Sequence, residues 1–424
     1  MRIIAIICII MIIMAIALSG CRLGTLNAPP DMGGQQPSGD PDQGNGHGAE
    51  ALPVAGKIVI ITNDANNDEE EFLSAEALVS RYGEEQVAHM TWPGDGAEKY
   101  ITEILQEVSE DPEVGALILN NSALGNRFVL SALANVRDDI FVVYAPSIYW
   151  GLPSDVDTDF RADLIIWTDM HRLGELYVSQ AKAMGADTIV HYSFPRDLAT
   201  PPYALRLDAM KAAAELEGIG FVELLTIDTL SDTYYDIVPT FITQDLPRQV
   251  GNLGVNTAFF GTEYQMQQPM VSQVIATGAI FVGTCFQSPY YVYPESFDIE
   301  KEIPTGEDDD WGFPIMRRIE VFELVQAIDE AVDAAGMAGR ISGWVVPDRM
   351  LWTTIGFMYA VEWLNGNVPQ ERGAIDLDVL RRLAGECTAG LGVDAKVTLE
   401  TVVQDGQATG RYIQGVVDYH VFGK

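Results

Sequence analysis

Short apolar runs alternate with helical segments along the chain from about Val54 onward. The first run, KIVIIT at 57–62, is apolar and β-branched, and residues 68–82 follow it with apolar side chains at helical spacing. Strands that are apolar throughout and separated by helices are typical of a parallel sheet covered on both faces. The alternation therefore predicts an α/β fold.

The alternation runs through two successive units of similar size. In the first unit we predict strands at 57–62, 88–92, 114–119, 140–145 and 163–168, with helices at 68–82, 97–109 and 127–135. In the second unit we predict strands at 188–192, 221–226, 257–261 and 279–283, with helices at 171–184, 202–216, 242–251 and 264–277. Two such units predict two Rossmann-like lobes with parallel sheets, joined by a hinge.

Three longer stretches resemble a known family in pattern and order. They are DLIIWTDMHRLGELYVSQAKAMGADTIVHYSFPRDLATPPYALRLDAMKAAAELEGI from residue 163, NTAFFGTEYQMQQPMVSQVIATGAIFVGT from residue 256, and GRISGWVVPDRMLWTTIGFMYAVEWLNG from residue 339. Together with KIVIITNDAN they resemble the crossover, the later second-lobe strands and the returning helix of type 1 periplasmic binding proteins. The chain looks closest to an uncharacterised group of bacterial lipoproteins with this layout.

The resemblance implies boundaries for the lobes. It places residues 54–168 and about 347–370 in an N-terminal lobe, and residues 169–346 in a C-terminal lobe. Residues 286–314 form an insertion in the second lobe, and residues 371–424 extend beyond the usual C-terminus. The pattern assigns neither of these two segments a role.

Residues 1–20 have the layout of a secretion signal, with one positive charge, Arg2, before an apolar run at 3–18. The run is shorter than the roughly 20 residues of a permanent membrane span. The sequence LSGC at 18–21 resembles the lipobox of bacterial lipoprotein precursors, which implies cleavage before Cys21 and lipidation of its thiol. The alternatives are an ordinary signal peptide with an incidental cysteine, or an uncleaved anchor.

Residues 21–53 change composition to Gly, Pro, Gln, Asp and Asn, and such a segment cannot bury enough apolar surface to offset its ordering entropy. We therefore predict a disordered tether between the lipid and the folded body. The formal net charge of −36 comes from acidic residues spread along the chain. Because such a surface repels phosphate backbones, we expect no nucleic-acid partner.

Two cysteines, Cys285 and Cys387, fall in the predicted folded body. One disulfide between them and two buried free thiols are both compatible with the sequence. The five histidines show no zinc-ligand spacing with each other or with the cysteines. We therefore predict no metal and no cofactor, and we expect a monomer.

Candidate ligand-binding residues follow from the predicted sheets, because ligands of open parallel sheets bind beyond the carboxyl ends of the strands. Those of the first lobe are Asn63, Asp64, Asn66, Asn67, Asn120, Asn121, Ser147, Tyr149 and Trp150. Asparagine donates and accepts hydrogen bonds, and aromatic rings cover the face of a sugar or heterocycle, so this set favours a neutral polar or ring-containing ligand. Helix capping and turn formation are the alternative roles of the asparagines.

The candidates of the second lobe lie at the predicted crossover, after its strands and on its second helix. They are Asp169, His171, Ser193, Arg196, Arg206, Thr262 and Glu263. Arg206 matches an arginine on a helix of the resembled family, where a guanidinium holds a carboxylate or a pair of hydroxyls through its fork of donors. The alternative for Arg206 is a surface ion pair with Asp208. His171 fits a helix start better than a titrating role.

These expectations together describe a solute-binding lipoprotein of the cell envelope, lipid-anchored to a membrane on its extracytoplasmic side. Its partners would be a small molecule and the permease of an ABC-type importer, and it would not be an enzyme. A ligand sensor for a membrane receptor needs the same tether and lobes, and remains an alternative. A metal-dependent hydrolase of the nucleoside hydrolase type is a further alternative, since Asp64 and Asp68 fit part of the spacing of its acidic calcium loop.

Overall fold

A computed structural model describes residues 53–92, 97–120, 125–133, 137–146, 161–226, 234–308, 314–404 and 407–424. Its strands are β1 (Lys57–Asn63), β2 (Val87–Trp92), β3 (Val114–Leu119), β4 (Phe141–Tyr144), β5 (Leu164–Thr168), β6 (Thr188–Ser193), β7 (Gly220–Leu225), β8 (Thr257–Gly261), β9 (Ile280–Phe281), β10 (Glu302–Asp308), β11 (Pro314–Arg318), β12 (Ser342–Gly343), β13 (Val397–Gln404), β14 (Gln407–Val417) and β15 (His420–Val421). Its helices are α1 (Glu69–Tyr82), α2 (Ala97–Glu110), α3 (Gly125–Leu133), α4 (Met170–Ala183), α5 (Pro195–Leu198), α6 (Pro201–Glu217), α7 (Tyr234–Leu253), α8 (Tyr264–Thr277), α9 (Tyr293–Phe297), α10 (Val321–Ala334), α11 (Asp348–Leu364) and α12 (Leu377–Gly390).

The first sheet has, among the described residues, seven strands in the order β13-β14-β5-β4-β3-β1-β2. Its neighbouring strands run parallel except for β13 and β14, which are antiparallel. The strands predicted from the apolar runs of the first unit all form, with ends that differ by no more than one residue. The expected parallel sheet therefore carries one antiparallel strand at its edge.

Helices cover both faces of this sheet. On β1, Ile58 and Ile60 belong to the core under α1 and α11, whereas Val59 and Ile61 belong to the core under α2 and α3. All four side chains are fully buried, as the continuous apolar run requires of a strand with no solvent-facing side.

The second sheet has the strand order β7-β6-β8-β9, with every pair parallel. It continues beyond β9 through a parallel bridge between Phe281 and Ile341, which leads into β12 and its antiparallel partner β15. Ile189 and Phe260 face the core under α4 and α6, while Val190 and Phe259 face the opposite core. The two-lobed α/β architecture predicted from the sequence is confirmed.

The chain crosses between the two sheets at three places in the described part. Thr168 to Met170 connects β5 with α4, residues 344–347 connect β12 with α11, and residues 418–419 connect β14 with β15. The rings of Trp344 and Tyr419, on the second and third crossings, lie with centroids 4.7 Å apart. Crossings that lie side by side in this way form a hinge between the lobes.

The two segments that matched no pattern have defined places in the fold. In the C-terminal extension, β14 pairs in parallel with β5 and so joins the first sheet. In the insertion, β10 forms a hairpin with β11, which begins at the last residue of the insertion, and Arg318 of β11 forms an ion pair with Glu69 of α1. The hairpin therefore reaches from the second lobe to the first.

None of the helices in the described ranges is long and apolar enough to cross a membrane.

Candidate functional site

Three buried acidic side chains gather at the carboxyl edge of the first sheet, and we call them the acidic cluster. Glu70 and Glu71 lie in the first turn of α1, directly after β1, and Asp348 begins α11. Burial raises the pKa of each glutamate to about 8 and the pKa of Asp348 to about 7. Because the charge of Asp348 raises the pKa of both glutamates further, the three carboxyls titrate as a coupled group.

The ends of two strands orient two members of the acidic cluster. The backbone N–H and the side-chain Nδ2 of Asn63, at the end of β1, donate to Oε2 of Glu71 at 3.1 and 3.0 Å. The hydroxyl of Thr168, at the end of β5, donates to Oδ2 of Asp348 at 2.9 Å. The first sheet therefore presents these carboxyls at its edge through fixed hydrogen bonds.

Glu70, the third member, faces the second lobe. The hydroxyl of Ser288 donates to its Oε1, while its buried Oε2 has no hydrogen-bond partner among the described residues. Nearby at the end of β3, Asn120 donates through Nδ2 to the carbonyl of Arg349 at 3.2 Å, yet its buried Oδ1 also lacks a partner in the described ranges. Two acceptor oxygens at this edge are therefore buried without a donor in the part of the chain that the structure describes, and buried polar atoms of this kind are rare in folded proteins.

Arg349 supplies positive charge beside the cluster, but that charge is compensated. Its guanidinium forms an ion pair with Asp68, the residue that caps α1 by accepting from the N–H of Glu71. It also lies 5.6 Å from the ring centroid of Phe286. Burial lowers the pKa of Arg349 to about 10. Asp68, and not the acidic cluster, is therefore its partner.

Arg206 is the buried cation of the second lobe. It lies on α6, is 2% exposed, and places its guanidinium 5.2 Å from the ring centroid of Tyr203 and 4.7 Å from that of Phe260. Within the described part of the chain, its Nε and Nη2 have no hydrogen-bond partner. Asp208 is exposed, so the surface ion pair considered for Arg206 does not form.

Other polar atoms at the carboxyl edge of the second sheet share this lack of partners. Ser193 ends β6, and its Oγ, like Nδ1 of His191, is buried without a hydrogen-bond partner among the described residues. Both side chains point to the same face of β6, because residues two apart on a strand do so. Burial and the charge of Arg206 lower the pKa of His191 to about 3. The imidazole is therefore neutral, and Arg206 is the cation of this face.

The segment from Thr284 to Val292, which we call the connecting segment, links the cationic half of the site around Arg206 with the acidic half formed by the acidic cluster. Cys285 lies close enough to Arg206 for the guanidinium to oppose the burial that raises the pKa of this thiol. Gln287 accepts a hydrogen bond from the backbone N–H of Asp348 at 2.9 Å, and Ser288 donates to Glu70. The cationic half and the acidic half therefore meet along one short stretch of chain.

The structure divides the predicted site residues into groups. Asn63, Asn120, Ser193 and Arg206 lie at the site just described. Thr262 donates to Asp197 at 2.5 Å, and Glu263 lies 3.6 Å from Arg196, so these residues form a polar group at the ends of β6 and β8.

Other predicted residues have local structural roles. Asp64 accepts hydrogen bonds from the backbone N–H groups of Asn66 and Asn67, which defines a turn. Asp169 caps α4 by accepting from the N–H of Arg172, and His171 is exposed. Asn121, Ser147, Tyr149, Trp150 and Cys21 lie outside the described residues.

Sequence reasoning missed the acidic cluster and Ser288. Four acidic residues in a row at 68–71 are explained by the helix dipole alone, and Ser288 falls in an insertion without a recognisable pattern. The one available signal is the position of Glu71, which lies four residues before Ala75 and seven before Leu78 and so falls on the apolar face of the helix.

The acidic calcium loop considered for this region does not assemble. Asp64 accepts hydrogen bonds from its own turn, and Asp68 caps α1 and pairs with Arg349. In the part of the chain that the structure covers, no group of three or more His, Cys, Asp or Glu residues is arranged to hold a metal ion.

Two lobes with largely parallel sheets and three crossings between them give the two-lobed α/β fold that the resemblance to type 1 periplasmic binding proteins implied. The structure of a putative transcriptional regulator from Clostridium difficile 630 has this fold, with a TM-score of 0.72 and 18% identity over 88% of this chain and 100% of that chain. A periplasmic ribose ABC transporter structure from Conexibacter woesei DSM 14684 is similar over 76% of this chain and 88% of that chain, with a TM-score of 0.44 and 15% identity. The resemblance in fold inferred from the sequence is confirmed.

Residues 57–342 match the model of the family described as "Protein of unknown function (DUF3798)". The match spans more than half of the chain, so the chain belongs to this family. An uncharacterized protein of Treponema pallidum (strain Nichols) is 22% identical over 178 residues, which are 42% of this chain and 80% of that protein.

Proposed function

We propose that this protein is an extracytoplasmic solute-binding lipoprotein that holds a small polar molecule between its two lobes. One observation carries the proposal: both lobes bring to the junction buried polar atoms that have no hydrogen-bond partner among the described residues. These are Arg206 Nε and Nη2, Ser193 Oγ, Glu70 Oε2 and Asn120 Oδ1. Leaving such a group buried and unpaired costs roughly 1–3 kcal/mol. A ligand that supplies the missing donors and acceptors would remove this cost.

The hinge supports the same function. Three crossings lie between the sheets, and the contacts of Ser288 with Glu70 and of Arg318 with Glu69 join the lobes on the side of α1. Rotation about the crossings would break those contacts and open the junction to solvent, and closure would restore them around a ligand.

The position in the cell envelope follows from the N-terminal segment. We propose that Cys21 carries the lipid, that residues 21–53 tether the body, and that the liganded protein delivers its solute to the permease of an ABC-type importer. The lipobox-like sequence at 18–21 supports the anchor. A tether keeps the binding body concentrated near a membrane-embedded partner.

A thermal-shift screen of the full-length lipidated protein in detergent tests solute binding. The panel consists of sugars, amino acids, nucleosides and small peptides. A ligand present at one hundred times its dissociation constant should stabilise the folded state by about 2.7 kcal/mol. A panel without any stabilising compound would contradict the proposal.

Two matched arginine variants show whether the site described here is responsible. Arg206→Met removes the unpaired buried guanidinium, and it should abolish the stabilisation by ligand. The melting temperature without ligand should stay unchanged or rise, because an uncompensated buried charge is removed. Arg172→Met, on the exposed face of α4 where the guanidinium pairs with Glu175 at 2.8 Å, should respond to ligand like the natural protein. A fall in melting temperature with ligand response retained would make Arg206 a structural residue.

A further inference from the structure

The two halves of the junction present groups of opposite type, the guanidinium of Arg206 and the ionisable carboxyl of Glu70. Each has buried polar atoms without a hydrogen-bond partner among the described residues. We propose that the ligand is a small zwitterion, which places an anionic group at Arg206 and an ammonium group at Glu70. This inference rests on the proposed solute-binding function and names the class of solute.

The geometry of Arg206 points to an anionic group. Nε and Nη2 form one edge of the guanidinium, and their two N–H bonds are parallel, which is the arrangement that binds both oxygens of a carboxylate. Both atoms are buried and without partners in the described ranges. The guanidinium packs against the faces of Tyr203 and Phe260, and the nearby carboxylate of Asp197 accepts a hydrogen bond from Thr262. The unpartnered edge of the guanidinium can therefore receive a bidentate acceptor when the lobes open.

The acidic cluster points to a cationic donor. Arg349 pairs with Asp68 and Arg318 pairs with Glu69, so the nearest cations serve other acids. Oε2 of Glu70 and Oδ1 of Asn120 are acceptors without donors in the described part of the chain. An ammonium group has three N–H donors and no acceptor, and it would satisfy several such oxygens at once.

The connecting segment limits the distance between the two ends. Cys285 lies near Arg206 and Ser288 binds Glu70. Three residues of extended chain span at most about 11 Å between Cα atoms. The parts of the connecting segment next to Arg206 and next to Glu70 are therefore close together, which favours a molecule of the size of an amino acid or a short peptide.

Proton linkage distinguishes this ligand class from a neutral one. Charged and titratable groups face Glu70 from its own helix, from the start of α11, from the insertion and from β11; they are Glu69, Glu71, Asp348, Tyr290, Tyr291 and Arg318. Burial dominates among these effects and raises the pKa of Glu70 to about 8, so Glu70 is mostly protonated at neutral pH. An ammonium group favours the carboxylate form, so its binding must release protons.

Titration calorimetry of the full chain at pH 7, in two buffers of different ionisation enthalpy, measures that release. The probes are α-amino acids, ω-amino acids of increasing length and dipeptides, with putrescine, succinate, glucose and ribose as controls that lack one or both charges. We expect a zwitterion to bind more tightly than every control and to release a fraction of one proton. The length of the preferred ω-amino acid would report the spacing of the two ends.

Two variants and one control show which residue binds the ammonium group of the ligand and which binds its anionic group. Glu70→Gln keeps an acceptor for Ser288 but removes the titrating group, and it should weaken zwitterion binding by roughly 10- to 100-fold and abolish the proton release. Arg206→Met should weaken the binding of zwitterions and of succinate alike. Glu330→Gln, exposed on α10, is the control and should change nothing.

The outcomes separate this inference from the proposed function. Binding of a neutral sugar without proton release would overturn the zwitterion and leave solute binding in place. Absence of binding by any probe would contradict both. A Glu70→Gln protein that melts like the natural chain, and binds a zwitterion with unchanged affinity and proton release, would overturn the assignment of the ammonium end.

Discussion

Gly174 faces the backbone carbonyl of Arg206 so closely that a β-carbon at Gly174 would lie 2.5 Å from the carbonyl oxygen. Gly174 belongs to α4 and Arg206 to α6, so the two helices pack backbone against backbone at this point. A backbone atom cannot move aside as a flexible side chain does. We therefore predict that Gly174→Ala destabilises the protein by about 1–3 kcal/mol, measured by urea denaturation, and that it displaces Arg206 and weakens ligand binding.

Gly385 provides the matched control for this substitution. It also lies within a helix, α12, but a β-carbon there would meet no atom within 4 Å. Alanine has the higher helix propensity, so Gly385→Ala should stabilise the protein by about 0.5–1 kcal/mol. If the two substitutions changed the stability in the same direction, close packing would not be the property that requires glycine at position 174.

The first-lobe strands were predictable because their apolar character is local and continuous. The side chains from Ile58 to Ile61 are buried on both faces of the sheet, and a strand buried on both faces consists of apolar residues. The C-terminal hairpin lacks such a signal. Its strand β14 pairs with β5, with Ile413 opposite Ile166, and a pairing across so long a separation in sequence leaves no trace in the local pattern of either strand.

The second-lobe half of the candidate site was easier to predict from the sequence than the first-lobe half. Ser193 follows from the rule that ligands bind at the carboxyl ends of parallel strands, whereas Arg206 follows from the resemblance to a helix arginine of the type 1 periplasmic binding proteins. Glu70 appears in the sequence as part of a charged helix start, and its burial depends on Ser288, which reaches it from the insertion. Tertiary contacts of this kind decide whether an acidic residue is solvated or becomes part of a site.

The acidic cluster makes stability depend on pH. In the folded protein burial raises the pKa of Glu70 and Glu71 to about 8 and that of Asp348 to about 7, above the ordinary values of 4.5 and 3.8. Through these three carboxyls the folded state binds more protons than the unfolded state between these limits, so they lower the free energy of unfolding as the pH rises. His191, whose pKa burial lowers from 6.5 to about 3, acts in the opposite direction below pH 6.5, but it is one group against three. The contribution of the cluster is fully present below about pH 4 and is lost as the pH rises through about 8.

Urea denaturation at a series of pH values from about 5 to about 9 measures this slope. Glu71→Gln removes one titrating group and should make the decline shallower. Hydrogen bonds lower the pKa of other carboxyls, such as Asp111 and Asp139. These carboxyls change the free energy of unfolding only below about pH 4, so they do not reverse the decline expected between about pH 5 and 9. Stability that increases between pH 5 and 8 would contradict the burial of the cluster.

Cys285 and Cys387 are free and buried, which settles the two possibilities that the sequence left open. Burial raises the pKa of Cys387 to about 12, and it raises the pKa of Cys285 as well. Since the thiolate is the reactive form, neither cysteine should react with a disulfide reagent such as DTNB in the native protein. Both should react at once in denaturant. Rapid native modification would show that one of the two regions opens readily.

The number of thiols that react with DTNB in denaturant also tests the lipid anchor. A chain cleaved before Cys21 contains three cysteines, at 21, 285 and 387, and acylation converts the thiol of Cys21 to a thioether. The unfolded mature protein should therefore show two reactive thiols, and three would contradict the modification. Cys21→Ala should abolish incorporation of labelled palmitate, because it removes the cysteine of the lipobox-like sequence at 18–21. Cys285→Ala and Cys387→Ala are the matched controls: each should retain the label and lower the thiol count to one.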